Sequence, residues 1–176
     1  MAGTVGVTSD VNADDIYVGS LVIARATMEA VRRDAPELVT IVAMGDGGKV
    51  RTDEDEQCAL YMRNLLEGRN PDPDAVRSLV MACDQAAKYD DPAKPHFRRE
   101  DRETALQIDS VSFAIKVSRQ DGMLVSRPVD PRTEEPLRSL RPLAVKSPEK
   151  LQYRHVRKIQ PDSGPRGACP AVRVRR

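Results

Sequence analysis

The sequence predicts an α/β protein: a layered α/β/α unit with a partial, mixed sheet, followed by a disordered C-terminal tail. Three observations predict it. Two short β-prone runs, Asp15 to Val18 and Glu37 to Met44, flank a stretch with helical apolar spacing. Each run ends in a glycine-containing turn that opens a helix, Gly19-Ser20 after the first and Gly45-Asp46-Gly47-Gly48 after the second. Composition changes near Pro128: residues 129–176 hold 12 Lys+Arg against 5 Asp+Glu and seven of the 13 prolines. That leaves 16 of the 28 basic and 22 of the 27 acidic residues for 1–128, an acidic, foldable body before a basic, proline-rich tail. The domains expected are therefore 1–128 and 129–176.

Met1 to Asn12 is small and polar without periodicity and reads as a loose arm. Leu21, Ala24, Met28 and Val31 recur at helical spacing and should face the sheet, with Ser20 as N-cap. Pro36 stops this helix at the level of Arg33-Asp34. A strand–helix–strand unit of this kind is normally parallel and right-handed. Two parallel strands cannot bury both faces, so further strands should come from upstream or from a partner.

Thr52-Asp53-Glu54-Asp55-Glu56 opens the next helix. Thr52-x-x-Asp55 resembles a capping box, and four carboxylates in a first turn suit the helix dipole. The same cluster of oxygens is also the kind of donor set that suits a hard cation such as Mg²⁺, with at most two of the four sharing one ligand. Cys58, Tyr61, Met62 and Leu65 form the apolar stripe, and Gly68 ends the helix. Asp72-Pro73 starts another, with Val76, Leu79, Val80, Cys83 and Ala87 as its apolar face. His96 lies in a loop marked by Pro92 and Pro95, and Arg99 to Gln107 reads as a short charged helix. Val111 to Val117 alternates with period two, Gln120-Asp121-Gly122 is a hairpin turn, and Met123 to Ser126 returns.

Several classes are excluded or disfavoured. No apolar run reaches the roughly 18 residues of a membrane span. No signal-peptide pattern opens the chain, and the three cysteines, Cys58, Cys83 and Cys169, form no CxxC pair. A cytoplasmic protein with reduced thiols is expected. The basic tail has one aromatic, Tyr153, and no recognition motif, so specific nucleic-acid binding is not expected. No Walker A loop, GxSxG, HExxH or GxGxxG is present. The residues alone thus lead to an α/β unit whose chemistry, if any, sits at the carboxyl ends of its strands.

The order of motifs adds to this. Gly19-Ser-Leu-Val-Ile-Ala-Arg-Ala26, then Leu38-Val-Thr-Ile-Val-Ala-Met-Gly45, then Glu54-Asp-Glu-Gln-Cys-Ala59 resembles the 2-phosphosulfolactate phosphatases over roughly residues 12–128. In that family a strand leads into Gly-Ser-(Leu/Phe)-x-Asn, a second strand ends in Gly, and Glu-Asp-x-x-Cys-Ala opens the next helix. Two departures are visible: Ile23 stands where the family has Asn, and the family's N-terminal segments, Asp-Val-(Leu/Phe)-Arg-Ala and Thr-Thr-Asn-Gly-Thr, are absent. The chain thus resembles the family's C-terminal half.

The resemblance implies Mg²⁺-dependent hydrolysis of a phosphate monoester of a sulfonated three-carbon acid, on the route to coenzyme M. Glu54 and Asp55 would be catalytic and metal-binding groups, and Gly19 and Ser20 would bind phosphate. The expected partners are a small phosphate ester and either a second copy or the missing half. The alternative is an inactive family member serving as an interaction module.

Overall fold

The computed structural model describes residues 13–46, 50–137, 143–146 and 171–175. The expected arm before Asn12 and turn residues Gly47 and Gly48 lie outside that set, as do 138–142 and 147–170 of the expected tail. The chain is a mixed α/β protein, as its sequence predicts.

Strand β1 (Asp15–Val18) passes through Gly19-Ser20 into a 3₁₀ turn, Leu21–Ile23, that continues as α1 (Ala24–Arg33). Leu21, Ala24, Met28 and Val31 are all buried, as their spacing requires. The Ser20 side chain makes no cap bond. Asp109, from across the fold, accepts from the Arg25 amide in the first turn of α1 (below). Strand β2 (Leu38–Val42), four of its five residues apolar, is a half-exposed edge strand, with Leu38 54% exposed. Edge position, not composition, sets its burial.

Helix α2 (Asp53–Leu66) buries Cys58, Tyr61, Met62 and Leu65, the stripe read from the sequence. Helix α3 (Pro73–Met81) starts as expected: the Asp72 carboxylate accepts from the Asp74 amide at 2.9 Å, and Pro73 occupies the first turn. It is shorter than its apolar pattern suggested. Val76 and Val80 are buried, Leu79 is exposed, and Cys83 caps a separate short helix, α4 (Asp84–Ala87). Helix α5 (Arg99–Ala105) buries nothing, in keeping with its charge.

Strands β3 (Ala114–Gln120) and β4 (Met123–Val129) form the expected hairpin, with Gln120 opposite Met123. Its two turn residues, Asp121 (φ 50°) and Gly122 (φ 75°), both take the positive φ that a two-residue hairpin turn demands. The sheet departs from expectation. Strand β5 (Leu143–Lys146) and strand β6 (Ala171–Arg175) come from the stretch read as disordered, and the boundary expected at 128 falls inside β4. The strand order is β2-β6-β1-β3-β4-β5, and every described pairing is antiparallel, so the expected mixed sheet is not found. Because β6 is antiparallel to both β1 and β2, those two strands run in the same direction without touching. The chain itself supplies the strand that the β1–α1–β2 unit needed.

Tyr17, Met28, Val31, Tyr61, Met62, Leu65 and Ala114 centre the main core, where the helices pack on one sheet face. On the opposite face Ile16, Val117 and Leu124 form a smaller cluster that contains no helical residue. The described elements therefore make two layers, not the three of an α/β/α sandwich. No helix among the described residues is long and apolar enough to cross a membrane.

Candidate functional site at the start of helix α2

Val18 and Val42 both pair with Ala171 of β6, one from each side. The ends of β1 and β2 are thus level, separated by two strand spacings, or about 10 Å. Both loops singled out in the sequence, Gly19-Ser20 and the one beginning at Met44-Gly45, emerge at this end of the sheet.

The loop after β2 is shaped by Gly45 (φ 77°) and by a bridge in which the Asp46 amide donates to the Val50 carbonyl at 2.7 Å. Thr52 then begins α2 in extended conformation, but its side chain makes no cap bond. The expected capping box does not form, because Asp55 turns back to the loop. Its Oδ2 accepts from the Gly45 amide at 3.1 Å, and the residue is only 2% exposed. Burial pushes the Asp55 carboxyl up to about 7, against the opposing pull of the Gly45 and Met44 amides and with added repulsion from Glu54 and Glu56.

Each neighbouring group has a distinct setting. Glu56 is paired with Arg51. Glu54 Oε2 and Thr52 Oγ1 are both buried without a hydrogen-bond partner. The Cys83 thiol arrives from the end of α3; burial raises it, and Asp53, Glu54 and Asp84 raise it further, so it is not an activated nucleophile. Cys58 lies in the main core. The α2 start therefore assembles carboxylates, two unsatisfied oxygens and a thiol. Among the described residues no three His, Cys, Asp or Glu side chains form a group that could hold a metal ion.

Ser20 stands at the N-cap position read from the sequence, without a side-chain cap bond, and Gly19 precedes it. Their helix opens as a 3₁₀ turn, with the Ile23 amide donating to the Ser20 carbonyl at 3.3 Å. The Arg25 amide, one of the first in α1, already donates to Asp109 Oδ1 at 2.8 Å. An anion arriving at that helix end competes with a carboxylate already in place.

Sequence reasoning missed Asp109 as a structural centre. Its carboxylate also accepts from Arg25 Nε at 3.0 Å and from the Tyr61 hydroxyl at 2.6 Å. It equally missed an ionic network around Lys116. Lys116 pairs with Asp15 at 2.6 Å and with Glu134, and Arg33 reaches Glu134 at 3.3 Å and Asp34 at 2.7 Å. The Tyr17 hydroxyl donates to Asp34 at 3.2 Å. His96 lies exposed against Phe97, ring centroids 4.3 Å apart, beside an open groove of about 360 Å³ lined by Tyr89, Pro92, Pro95, Phe97 and Arg99, none of them from the α2 start. No protein-family model, no curated protein and no solved structure matches the chain.

Proposed function

We propose that the start of α2 is a divalent-cation and phosphate-ester site, and that the chain carries the chemistry of a cytoplasmic 2-phosphosulfolactate phosphatase. The observation that carries this reading is the pair of buried oxygens, Thr52 Oγ1 and Glu54 Oε2, left without partners in the same turn as the buried Asp55. Buried polar atoms are nearly always satisfied, and an ion or ordered water is the common explanation where they are not. A cation bound there would offset the repulsion that Glu54 and Glu56 exert on Asp55. Mg²⁺ would offset charge on phosphate oxygens when bound there. Glu54 would face the ion with Oε2. Asp55, held by Gly45, would fix the loop and exchange a proton near neutrality. Gly19 and Ser20, at the same end of the sheet, would offer an amide and a hydroxyl to the phosphate.

A second reading, an inactive relative used as an interaction module, has its own supporting observation. The Arg25 amide is already satisfied by Asp109 and the Gly45 amide by Asp55, so two of the donors an anion would use are taken. Calorimetric titration with Mg²⁺ and release of phosphate from 2-phosphosulfolactate separate the two. The phosphatase reading expects both in the wild-type chain and neither in Glu54→Gln/Asp55→Asn. Metal binding that survives the double substitution would sink the site, and a wild-type chain that neither binds Mg²⁺ nor releases phosphate leaves the module reading standing.

A further inference from the structure

The place of β6 in the sheet has a consequence for self-association. β6 is not an edge strand added to a finished sheet. It lies between β1 and β2, pairing with β2 from Leu38↔Arg175 to Val42↔Ala171 and with β1 from Asp15↔Val174 to Val18↔Ala171. β1 and β2 are joined in sequence through α1 and lie side by side only through β6. Their parallel direction and level ends leave room for one strand, antiparallel to both, with backbone donors and acceptors facing it from each side.

The connection into the slot is long. Twenty-four residues, 147–170, separate β5 from β6. β5 lies four strand positions from β6 in the sheet order, or about 19 Å. A stretch of that length can span up to about 80 Å. It therefore reaches the slot of its own chain or that of a neighbour. The sequence entering the slot, Ala171-Val-Arg-Val-Arg175, contains no proline or glycine and alternates with period two, so any copy of it meets the same pairing requirements.

We propose that the β1–β2 slot is a strand-acceptor site, filled by β6 of the same chain in the monomer and by β6 of a second copy in a reciprocal, strand-exchanged dimer. The two forms contain the same strand pairs, so their balance is set by protein concentration against the effective concentration that a 24-residue connection gives the tethered strand, taken as of roughly millimolar order. The slot recognises a short extended segment through main-chain pairing, as in other strand-addition interfaces.

The test uses the full chain. Protein refolded at stepped concentrations is examined by size-exclusion chromatography with light scattering, alone and with excess synthetic peptide of residues 170–176. The expected result is a monomer at ~10 μM and a dimer making up about half of the protein near millimolar concentration. The peptide should bind at one site per chain and suppress the dimer, whereas the same peptide with Val172→Pro and Val174→Pro should do neither. A chain that stays monomeric throughout and ignores the peptide overturns the proposal. So does a dimer that the peptide leaves intact, because it would be held by another surface. The peptide arm uses unmodified protein, so the answer does not depend on a variant that must fold.

Discussion

Asp109 stands inside the hydrogen bond that Arg25 would otherwise make to Leu21. In a regular α-helix the Arg25 amide donates to the Leu21 carbonyl, four residues back. Here the Arg25 amide donates to Asp109 Oδ1 at 2.8 Å, and the Asp109 amide donates to the Leu21 carbonyl at 3.0 Å. The insertion accompanies the 3₁₀ opening and caps α1, whose own N-cap residue, Ile23, has no polar side chain. A residue 84 positions away in sequence performs the capping. Asp109 does so in left-handed conformation (φ 55°), which Asp and Asn tolerate better than most residues.

Asp109→Ala should therefore destabilise the fold by about 3 kcal/mol, combining a lost helix cap with orphaned Tyr61 and Arg25 donors. Asp109→Asn keeps an acceptor and the backbone preference and should lose less than half of that. Urea unfolding of both variants measures the difference. The same contact reports spectroscopically. The Tyr61 hydroxyl is pushed up to about 12 by burial and by its bond to Asp109. Ultraviolet titration of Asp109→Ala should bring one tyrosine back toward the ordinary value near 10.

Asp55 predicts a pH dependence of definite sign. In the unfolded chain its carboxyl ionises around 3.8, whereas the folded protein keeps it neutral up to about 7. Folding takes up a proton in that interval, so this residue's contribution is fully favourable below about 4 and is lost as pH rises to about 7. Asp55→Asn has nothing to titrate. Its stability relative to the wild type should rise across the interval by a change on the order of 4 kcal/mol and then level off. Melting curves at pH 4.5, 6 and 8 follow this. Millimolar Mg²⁺ at pH 8 should stabilise the wild type more than Asp55→Asn, whose proposed cation site carries one negative charge fewer, and so narrow the gap.

Lys116 joins Asp15 and Glu134 in one ionic network beside Tyr17. Its side chain is 18% exposed, between Asp15 and Glu134 and 5.6 Å above the Tyr17 ring. Burial alone would lower the Lys116 ammonium, but its bonds to the two carboxylates outweigh that and raise it. Lys116→Met preserves the packing of the stem and leaves two carboxylates facing each other. The expected loss is about 3 kcal/mol, and Asp15→Asn in the same background should recover part of it. Equal losses in the single and double variants would show that the network does not act as a unit.

Much of the local structure was legible in the sequence, for reasons visible in particular residues. Cys58, Tyr61, Met62 and Leu65 recur at helical spacing and are buried along one face of α2. Asp72-Pro73 announces a helix start because proline's fixed φ and missing amide suit that position alone. Asp121-Gly122 announces the hairpin because both turn residues need positive φ. Less of the candidate site was legible. Asp55 was recognisable as part of an acidic first turn, but nothing local says that it bends back to Gly45 and becomes buried. Thr52 read as a cap and turns out to hold an unsatisfied oxygen.

The sequence by itself determined the types of the main elements between Asp15 and Val129 and the core faces of α1 and α2, though not β5 or β6, because periodicity, caps and turns act within a few residues. Only the tertiary structure decided the antiparallel sheet order, the insertion of β6 between β1 and β2, and the hold of Asp109 on α1. These depend on groups that meet across long stretches of chain. Ala171 finds Val18 and Val42, and Asp109 finds Arg25, through backbone donors and acceptors that every residue carries and no local pattern marks.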